Sequence, residues 1–236
     1  MTGRLAAGAA PPEALRLPPV APRMRIGLYG GTFNPAHAAH RAASLLALKR
    51  LRLDKVWWLV TPGNPLKDNS GLPPLAGRIE QARAVAHHPA LVPTGCEALL
   101  GTRYSYDTVA ALVRRFPQVD FVWLMGADNL ASFHRWQRWR ALAELVPIAV
   151  IDRPGSTFRA MASPAASALA PWRLDERQAP RLAGLQAPAW LFLHGLKSPL
   201  SSTLLREAAG RNDVPSGANA PKCATTVEKH AVSALS

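Results

Sequence analysis

The sequence has few cysteines, few acidic residues and no long uninterrupted apolar run. Cys96 and Cys223 are the two cysteines among 236 residues, and their wide separation argues against a disulfide framework and fits a reducing cytoplasm. No apolar segment reaches the roughly 20 residues that a membrane-spanning helix needs. Residues 1–23 lack the apolar region of a signal peptide. We therefore expect a cytoplasmic protein without membrane contact.

Acidic residues are outnumbered by basic ones. The chain has 28 Lys plus Arg against 15 Asp plus Glu, a formal net charge of +13. This balance attracts polyanions, which include nucleic acids and phosphorylated small molecules. The arginines are scattered, and no RNA-recognition or zinc-finger pattern is present. Charge alone therefore does not predict a nucleic-acid partner.

The length fits one domain of ordinary to large size. Apolar runs that suit buried strands alternate with helical patterns, which predicts an α/β fold: a single Rossmann-like domain with an open, mostly parallel sheet and helices on both faces. We expect residues 1–23 to be a disordered basic Ala/Pro-rich extension, residues 24–210 to form the domain, and residues 211–236 to be a mobile tail. Strands are predicted at 26–29, 55–60, 91–92, 120–125, 147–151 and 189–194.

Helices are predicted from Pro35 to about residue 51, over 75–87 with Arg78 on a polar face, from 105 to about 116, and briefly at 158–161. Residues 97–102 are expected to form a loop. Beyond residue 161 the chain is expected to be irregular up to the last strand.

The most informative stretch is R-I-G-L-Y-G-G-T-F-N-P-A-H-A-A-H-R at residues 25–41. A short strand is followed by Gly30 and Gly31, which let backbone approach a ligand closely. His37 and His40 are three residues apart, so they share a face in the first turn of the following helix, where anions are favoured. As a metal site the pair is weak, because neither cysteine completes a set of ligands. The combination predicts a phosphate cradle.

A second phosphate signal lies near the other end of the domain. Ser201, Ser202 and Thr203 combine hydroxyl groups with a predicted helix start, and Arg206 falls one turn later. Such residues can donate to phosphate oxygens. An ordinary serine cap with an exposed arginine would look the same.

Other polar residues follow predicted strands or begin predicted helices, and each has a plain structural alternative. Lys67 is the cation of the loop after the second strand, or a solvated lysine. Ser105 and Asp107 are ligand contacts or helix caps. Asp128 follows a strand and a glycine, where a carboxylate can bind ribose, or it caps the next helix. Trp136, in a cluster of aromatic and basic residues, stacks on a base or packs in the core.

The chain resembles the nucleotidyltransferase superfamily through the G-G-T-F-N-P-x-H-x-x-H segment and the later S-S-T-x-x-R segment. Asn34 and Ala39 stand where many members have Asp and Gly. Within the superfamily it resembles the bacterial nicotinate-mononucleotide adenylyltransferases through T-P-G-N-P-L-K at 61–67, Y-S-Y-D-T at 104–108, G-A-D-N-L at 126–130 and Trp136. The likeness covers roughly residues 24–206, in matching order. It departs from the branch in having no His before Lys67 and no Val-Pro-containing helix in the tail.

The resemblance implies transfer of the adenylyl group of ATP to nicotinic acid mononucleotide, giving deamido-NAD and pyrophosphate. It implies that the catalytic residues are His37, His40, Lys67 and Arg206. It implies ATP-binding roles for Gly30, Thr32, Phe33, Asp128, Ser202 and Thr203. It implies mononucleotide-binding roles for Ser105, through its backbone N–H, and for Asp107 and Trp136. Mg²⁺ is expected to be bound mainly by ATP phosphates, and a homo-oligomer is compatible with the sequence.

Two alternatives remain at this point. One is another adenylyl- or cytidylyltransferase of the superfamily, acting on nicotinamide mononucleotide or phosphopantetheine. The other, from a different class, is a non-catalytic nucleotide- or RNA-binding protein, which the net charge and the Trp/Arg cluster motivate. The first predicts pyrophosphate release with a different acceptor, and the second predicts salt-sensitive RNA binding without pyrophosphate release.

Overall fold

A six-stranded parallel sheet forms the centre of the molecule in a computed structural model that describes residues 12–63, 69–152 and 155–195. Its strand order is β3-β2-β1-β4-β5-β6, and every pairing between these strands is parallel. The strands are β1 (Arg25–Gly31), β2 (Lys55–Val60), β3 (Leu91–Thr94), β4 (Asp120–Gly126), β5 (Ile148–Ile151) and β6 (Trp190–Leu193). The predicted Rossmann-like α/β class is confirmed.

The central strands are apolar along almost their whole length because both faces of the sheet are covered. In β2 every residue after Lys55 is buried, and in β4 every residue after Asp120 is buried. Such continuous apolar runs, rather than alternating ones, are what parallel strands between two helical layers require. The sequence showed these runs, and all six predicted strands are present.

Helices and 3₁₀ segments lie on both faces of the sheet. The α-helices are α1 (Pro12–Leu15), α2 (Ala38–Leu51), α3 (Leu75–Ala86), α4 (Cys96–Leu100), α5 (Ser105–Arg115), α6 (Ala127–Leu130), α7 (Trp139–Leu145), α8 (Thr157–Met161) and α9 (Pro164–Ala168). The 3₁₀ segments are Phe133–Arg135, Ala170–Trp172 and Glu176–Gly184. One core cluster joins the sheet to α2, α3 and the last 3₁₀ segment, and the other joins it to α5, α7 and α9. Among the described residues, no helix is long and apolar enough to cross a membrane.

The order in which successive strands are added to the sheet reverses between β1 and β4. The chain proceeds from β1 outward to β3 and then returns to place β4 on the other side of β1. The exits of β1 and β4 therefore flank the point where the strand order reverses, and open α/β sheets bind ligands in a crevice at this place on the carboxyl edge.

Two predicted irregular segments contain helices. Residues 97–102 were predicted to be a loop, but Cys96–Leu100 is helical, and Gly101 ends this helix with a left-handed backbone (φ 64°). Cys96 and Glu97, the first residues of this helix, are buried. After the predicted α8, Ser163 accepts a hydrogen bond from the Ala166 N–H and starts α9. Pro180 lies inside the following 3₁₀ segment, where its missing N–H breaks α-helical hydrogen bonding.

The described part of the predicted N-terminal extension packs against the domain. The Gly95 N–H donates to the Ala14 carbonyl at 2.9 Å, and the Thr94 hydroxyl donates to the Arg16 carbonyl at 3.0 Å. Ala14 is buried. Residues 12–20 thus cover the end of the edge strand β3, whose exposed polar groups need partners, and this differs from the disorder expected over residues 1–23. Residues 211–236 lie outside the described part, so the predicted tail remains a prediction.

A buried arginine joins the loops at the carboxyl edge of the sheet. Arg78 of α3 is 1% exposed. Its Nη1 donates to the carbonyls of Thr32 at 2.7 Å and Thr61 at 2.8 Å, while Nη2 donates to Pro62 at 3.1 Å and Nε to Pro73 at 2.9 Å. Thr32 follows β1, and Thr61 and Pro62 follow β2. One guanidinium therefore fixes the exits of two neighbouring strands.

The predicted place of Arg78 on a polar helix face is wrong. Arg78 lies on the buried face of α3 together with Ile79, Ala82 and Ala86. Burial lowers the pKa of its guanidinium, but arginine stays charged in proteins. The carbonyl oxygens around it replace the water that the charge has lost.

We expect Arg78→Lys to lower the free energy of unfolding by about 2–4 kcal/mol, because one ammonium cannot reach four carbonyls that the planar guanidinium satisfies. Urea denaturation measures this change. Arg83→Lys, at an exposed position of the same helix, is the control and should stay within about 0.5 kcal/mol of the wild type. Equal stabilities of both variants would contradict the role of Arg78.

Candidate functional site

The two histidines of the first motif lie side by side where α2 begins. Their ring centroids are 3.8 Å apart, and the His37 backbone N–H donates to His40 Nδ1 at 3.2 Å. The helix begins at Ala38, not at Pro35 as predicted, because His37 has an extended backbone (φ −152°, ψ 168°) and serves as the N-cap. Both imidazoles nevertheless lie at the helix start, where backbone N–H groups favour anions.

The hydrogen bond to His40 determines its neutral tautomer. Because Nδ1 accepts a hydrogen bond, the proton of the neutral ring is on Nε2. His40 therefore has a donor on the side of the ring away from the His37 backbone. A donor at a helix start suits an anionic oxygen.

Buried aromatic rings pack against the His40 side chain. Phe33 is 2% exposed, stacks on Trp58 with centroids 5.0 Å apart, and meets His40 at 4.9 Å. Trp58 Nε1 donates to Ser44 Oγ at 2.8 Å, and the Ser44 hydroxyl donates to the His40 carbonyl at 2.9 Å. Phe33 has a left-handed backbone (φ 47°), an uncommon conformation for a bulky residue. The motif is thus held in a fixed conformation by buried contacts.

The exit of β4 lies beside the exit of β1. Tyr29 pairs with Leu124 in the register of these strands, so Gly31 and Gly126, the last residues of β1 and β4, lie at the same edge of the sheet. Gly126 is the N-cap of α6, and Asp128 is exposed in the first turn of that helix. Asp128 is therefore not the cap, and its carboxylate lies on the same edge of the sheet as the two imidazoles.

Gly30 is required by the packing of the sheet beneath the crevice. A Cβ atom at this position would lie 2.7 Å from Cη2 of Trp123. The Trp123 ring in turn meets Trp136 edge to face, with centroids 6.2 Å apart. Trp136 thus stands on a continuous layer of rings that begins under the glycine turn.

The first turn of α5 lies next to the segment that follows Trp136. Tyr104 is the N-cap and no side chain caps this helix, so the alternative interpretation of Ser105 and Asp107 as helix caps does not hold. The guanidinium carbon of Arg138 lies 3.7 Å from the centroid of the Tyr106 ring, and its Nη1 is 3.9 Å from Asp107 Oδ1. The structure thereby brings the α5 start, an arginine and the tryptophan region together.

A buried carboxyl group lies behind this turn. Glu97 is 5% exposed, and its Oε1 accepts a hydrogen bond from the Thr108 hydroxyl at 3.3 Å. Burial raises the pKa of Glu97 to about 7, and the hydroxyls of Thr61 and Thr108 reduce this rise. The group therefore titrates near neutral pH.

Several predicted site residues lie outside the described residues: Lys67, Ser202, Thr203 and Arg206. The described part of the site consists of the β1 exit, the β4 exit and the α5 start.

Sequence reasoning missed Arg78, Glu97 and Arg138. Arg78 had a usable signal, since it falls on the apolar stripe of its helix. Glu97 had none, because its burial follows from the contact of α4 with β2 and α5. Arg138 belonged to the noted aromatic and basic cluster, but its contact with Tyr106 depends on the packing of α5 against α7.

Comparison with known proteins gives concordant results. The sequence model of the cytidylyltransferase-like family matches residues 28–208. A probable nicotinate-nucleotide adenylyltransferase of Bradyrhizobium sp. (strain ORS 278) is 60% identical over 187 residues, which are 79% of this chain and 97% of that protein. A protein of the same name from Methylorubrum extorquens is 58% identical over 183 residues, 78% of this chain and 99% of its own length. Another, from Brucella abortus (strain 2308), is 53% identical over 184 residues, 78% of this chain and 95% of its own length.

Solved structures show the same fold at low sequence identity. Nicotinic acid mononucleotide adenylyltransferase of Plasmodium falciparum complexed with APC has a TM-score of 0.55 at 16% identity, over 77% of this chain and 82% of that chain. The same enzyme complexed with NaAD has a TM-score of 0.56 at 15% identity, over 78% of this chain and 83% of that chain. The matches in sequence, over nearly the whole length of the bacterial relatives, show that the chain belongs to the nicotinate-nucleotide adenylyltransferase family of cytidylyltransferase-like proteins.

Proposed function

We propose that this protein transfers the adenylyl group of ATP to nicotinic acid mononucleotide, giving deamido-NAD and pyrophosphate. The observation that carries the proposal is the paired imidazoles of His37 and His40 at a helix start beside the β1/β4 crevice. The names of the bacterial relatives support the same reaction and its role in NAD biosynthesis.

The chemistry needs no protein nucleophile or base. A phosphate oxygen of the mononucleotide, already anionic at neutral pH, attacks the α-phosphorus of ATP and forms a new P–O bond. The bond from that phosphorus to the oxygen bridging to the β-phosphate breaks, and this oxygen leaves with the electron pair as part of pyrophosphate. Catalysis then consists of alignment and of stabilising negative charge.

The ATP side of the site is assigned to the β1 exit. His40 donates its Nε2 proton to an ATP phosphate oxygen, and His37 adds a second imidazole at the same helix start. Gly30, Thr32 and Phe33 line the nucleotide crevice, and Asp128 contacts ribose. We assign further phosphate contacts to the residues outside the described part: Lys67, Ser202, Thr203 and Arg206.

The mononucleotide side is assigned to the α5 start and to Trp136. The uncapped first turn of α5 supports binding of the nicotinate carboxylate by the Ser105 backbone N–H, because such N–H groups lack intrahelical partners. Trp136 stacks on the pyridine ring, and Asp107 contributes through its ion pair with Arg138. These contacts favour nicotinic acid mononucleotide over nicotinamide mononucleotide or phosphopantetheine as the acceptor.

Mg²⁺ is the metal that we propose for the reaction. Mg²⁺ prefers oxygen ligands and keeps several waters, so we assign its binding mainly to ATP phosphates and water. When bound, the ion neutralises phosphate charge. We also propose a cytoplasmic location, which the buried free thiol of Cys96 supports.

The direct test incubates the purified protein with ATP and nicotinic acid mononucleotide and resolves the products by mass. Deamido-NAD and pyrophosphate are expected in equal amounts. Formation of neither product, under conditions where the protein is folded, would overturn the proposal.

We expect His40→Ala to lower kcat by about 100-fold, the usual cost of removing a donor to developing negative charge. Steady-state kinetics measure the rate, and circular dichroism checks that the fold is retained. His87→Asn is the control. His87 is exposed and forms the C-cap of α3, and asparagine tolerates its left-handed backbone (φ 31°). An unchanged rate in His40→Ala would count against the assigned role.

We expect a higher kcat/KM for the acid mononucleotide than for the amide, since a carboxylate accepts N–H bonds that an NH₂ group cannot. Arg138→Gln should reduce the acid-to-amide ratio by about 10-fold, which corresponds to about 1.4 kcal/mol. Arg140→Gln is the matched control, because Arg140 lies two residues further along in α7, with its guanidinium carbon 4.4 Å from the centroid of the Trp139 ring. Equal ratios in the two variants would reject the contribution of Arg138.

A further inference from the structure

The N-terminal segment, residues 12–20, has no part in the reaction described above, yet it is packed into the domain. Ala14 is buried. Leu15 packs against one core cluster, and Leu17 and Val20 pack against the other. Burial of these apolar side chains stabilises the folded position of the segment, so the contacts that its backbone makes are held in place.

Thr94, the last residue of β3, joins this segment to the start of α4. Thr94 is 2% exposed. Its hydroxyl donates to the Arg16 carbonyl at 3.0 Å and accepts a hydrogen bond from the Cys96 N–H at 3.2 Å. The Cys96 N–H lies in the first turn of α4, where backbone N–H groups have no intrahelical partner. The next residue of the chain, Gly95, donates its N–H to the Ala14 carbonyl at 2.9 Å.

The backbone before α4 also has little room to move. A Cβ atom on Gly95 would lie 2.9 Å from Cδ2 of Leu15 and 2.7 Å from Cδ1 of Ile79. Leu15 belongs to the N-terminal segment and Ile79 to α3. The start of α4 therefore lies in close contact with both elements, and hydrogen bonds fix it on the side of the segment.

The position of α4 is passed on to the first turn of α5. Because α4 ends at Leu100 and α5 begins at Ser105, a short connection separates them. The Thr102 N–H of this connection donates to the Glu97 carbonyl at 3.1 Å, and the hydroxyls of Thr102 and Thr108 are 2.8 Å apart. The Thr108 hydroxyl also donates to Glu97 Oε1 at 3.3 Å. A shift of α4 would thus displace the α5 start.

We propose that Thr94 is a positioning residue for the mononucleotide. Its hydroxyl joins the N-terminal segment to α4, and α4 in turn holds the Ser105 backbone N–H at the place where it receives the nicotinate carboxylate. This role rests on the proposed function. A binding group must be held within about 0.5 Å of its productive position. Since β3 is an edge strand two strands away from β1, loss of the Thr94 hydroxyl should affect the mononucleotide side and spare the ATP side.

The test compares Thr94→Val, which keeps the shape of the side chain without its hydroxyl, with Thr94→Ser, which keeps the hydroxyl. KM for each substrate and kcat are measured at a temperature at which circular dichroism shows every variant to be folded. Thr94→Val should raise KM for nicotinic acid mononucleotide about 10-fold, as expected for a lost buried hydrogen bond, and leave KM for ATP within about twofold of the wild type. Thr94→Ser should restore the mononucleotide KM.

A second pair of variants tests the N-terminal segment itself. Leu15→Ser removes the side chain that lies against Gly95, and it should raise the mononucleotide KM without changing KM for ATP. Arg16→Ala is the matched control, because Arg16 contributes its backbone carbonyl and its side chain is exposed. Should Thr94→Val fail to fold, a folded Leu15→Ser protein with wild-type KM values would overturn the proposal.

A further control separates positioning from a general loss of stability. The Asp175 carboxylate caps the last 3₁₀ segment by accepting from the Arg177 N–H at 2.7 Å, close to β6 at the other edge of the sheet. Asp175→Ala should lower stability and leave both KM values unchanged.

The role of Thr94 would be overturned, with the proposed function intact, if Thr94→Val left the mononucleotide KM unchanged or raised both KM values equally. The same conclusion would follow if Thr94→Ser had the KM values of Thr94→Val. Absence of wild-type turnover would overturn the proposed function and this role together.

Discussion

The site depends on one buried guanidinium that binds backbone carbonyls. Arg78 holds the carbonyl of Thr32 after β1 and those of Thr61 and Pro62 after β2. Loops at the carboxyl edge of a parallel sheet have no ladder partners of their own, so something must satisfy their carbonyl groups. A planar group with five donors does this for two strand exits at once. The imidazole pair is thereby attached to a fixed frame.

The other groups of the site provide hydrogen-bond donors that suit two anionic substrates. Imidazole donors and helix starts lie at the carboxyl edge, where the chain reverses across the sheet between β1 and β4. Water-poor surroundings strengthen such donors, and donors that are already oriented need little reorganisation during reaction. The stacked rings of Phe33 and Trp58 supply both conditions for the imidazoles, because both rings are buried and Phe33 packs against His40.

Two ionisable groups buried near this edge, Arg78 and Glu97, differ in how their burial affects their charge. Arg78 remains charged because carbonyl oxygens surround it, whereas Glu97 has only hydroxyls nearby and gains its proton near neutral pH. Arg78 joins the exits of β1 and β2, whereas Glu97 accepts a hydrogen bond from Thr108 of α5. Burial of such groups costs stability unless they are satisfied, which is consistent with a structural task at each position.

The sequence by itself determined the parallel α/β sheet, its strands and the pairing of His37 with His40, because apolar runs and short-range spacing encode them locally. It also carried the family likeness that the relatives confirmed. Tertiary structure alone decided that Arg78 is buried under two loops, that Glu97 sits on a helix instead of a loop, and that Arg138 lies over Tyr106. These outcomes depend on contacts between residues far apart in the chain. A local sequence pattern does not indicate which side chain becomes buried when distant elements pack together.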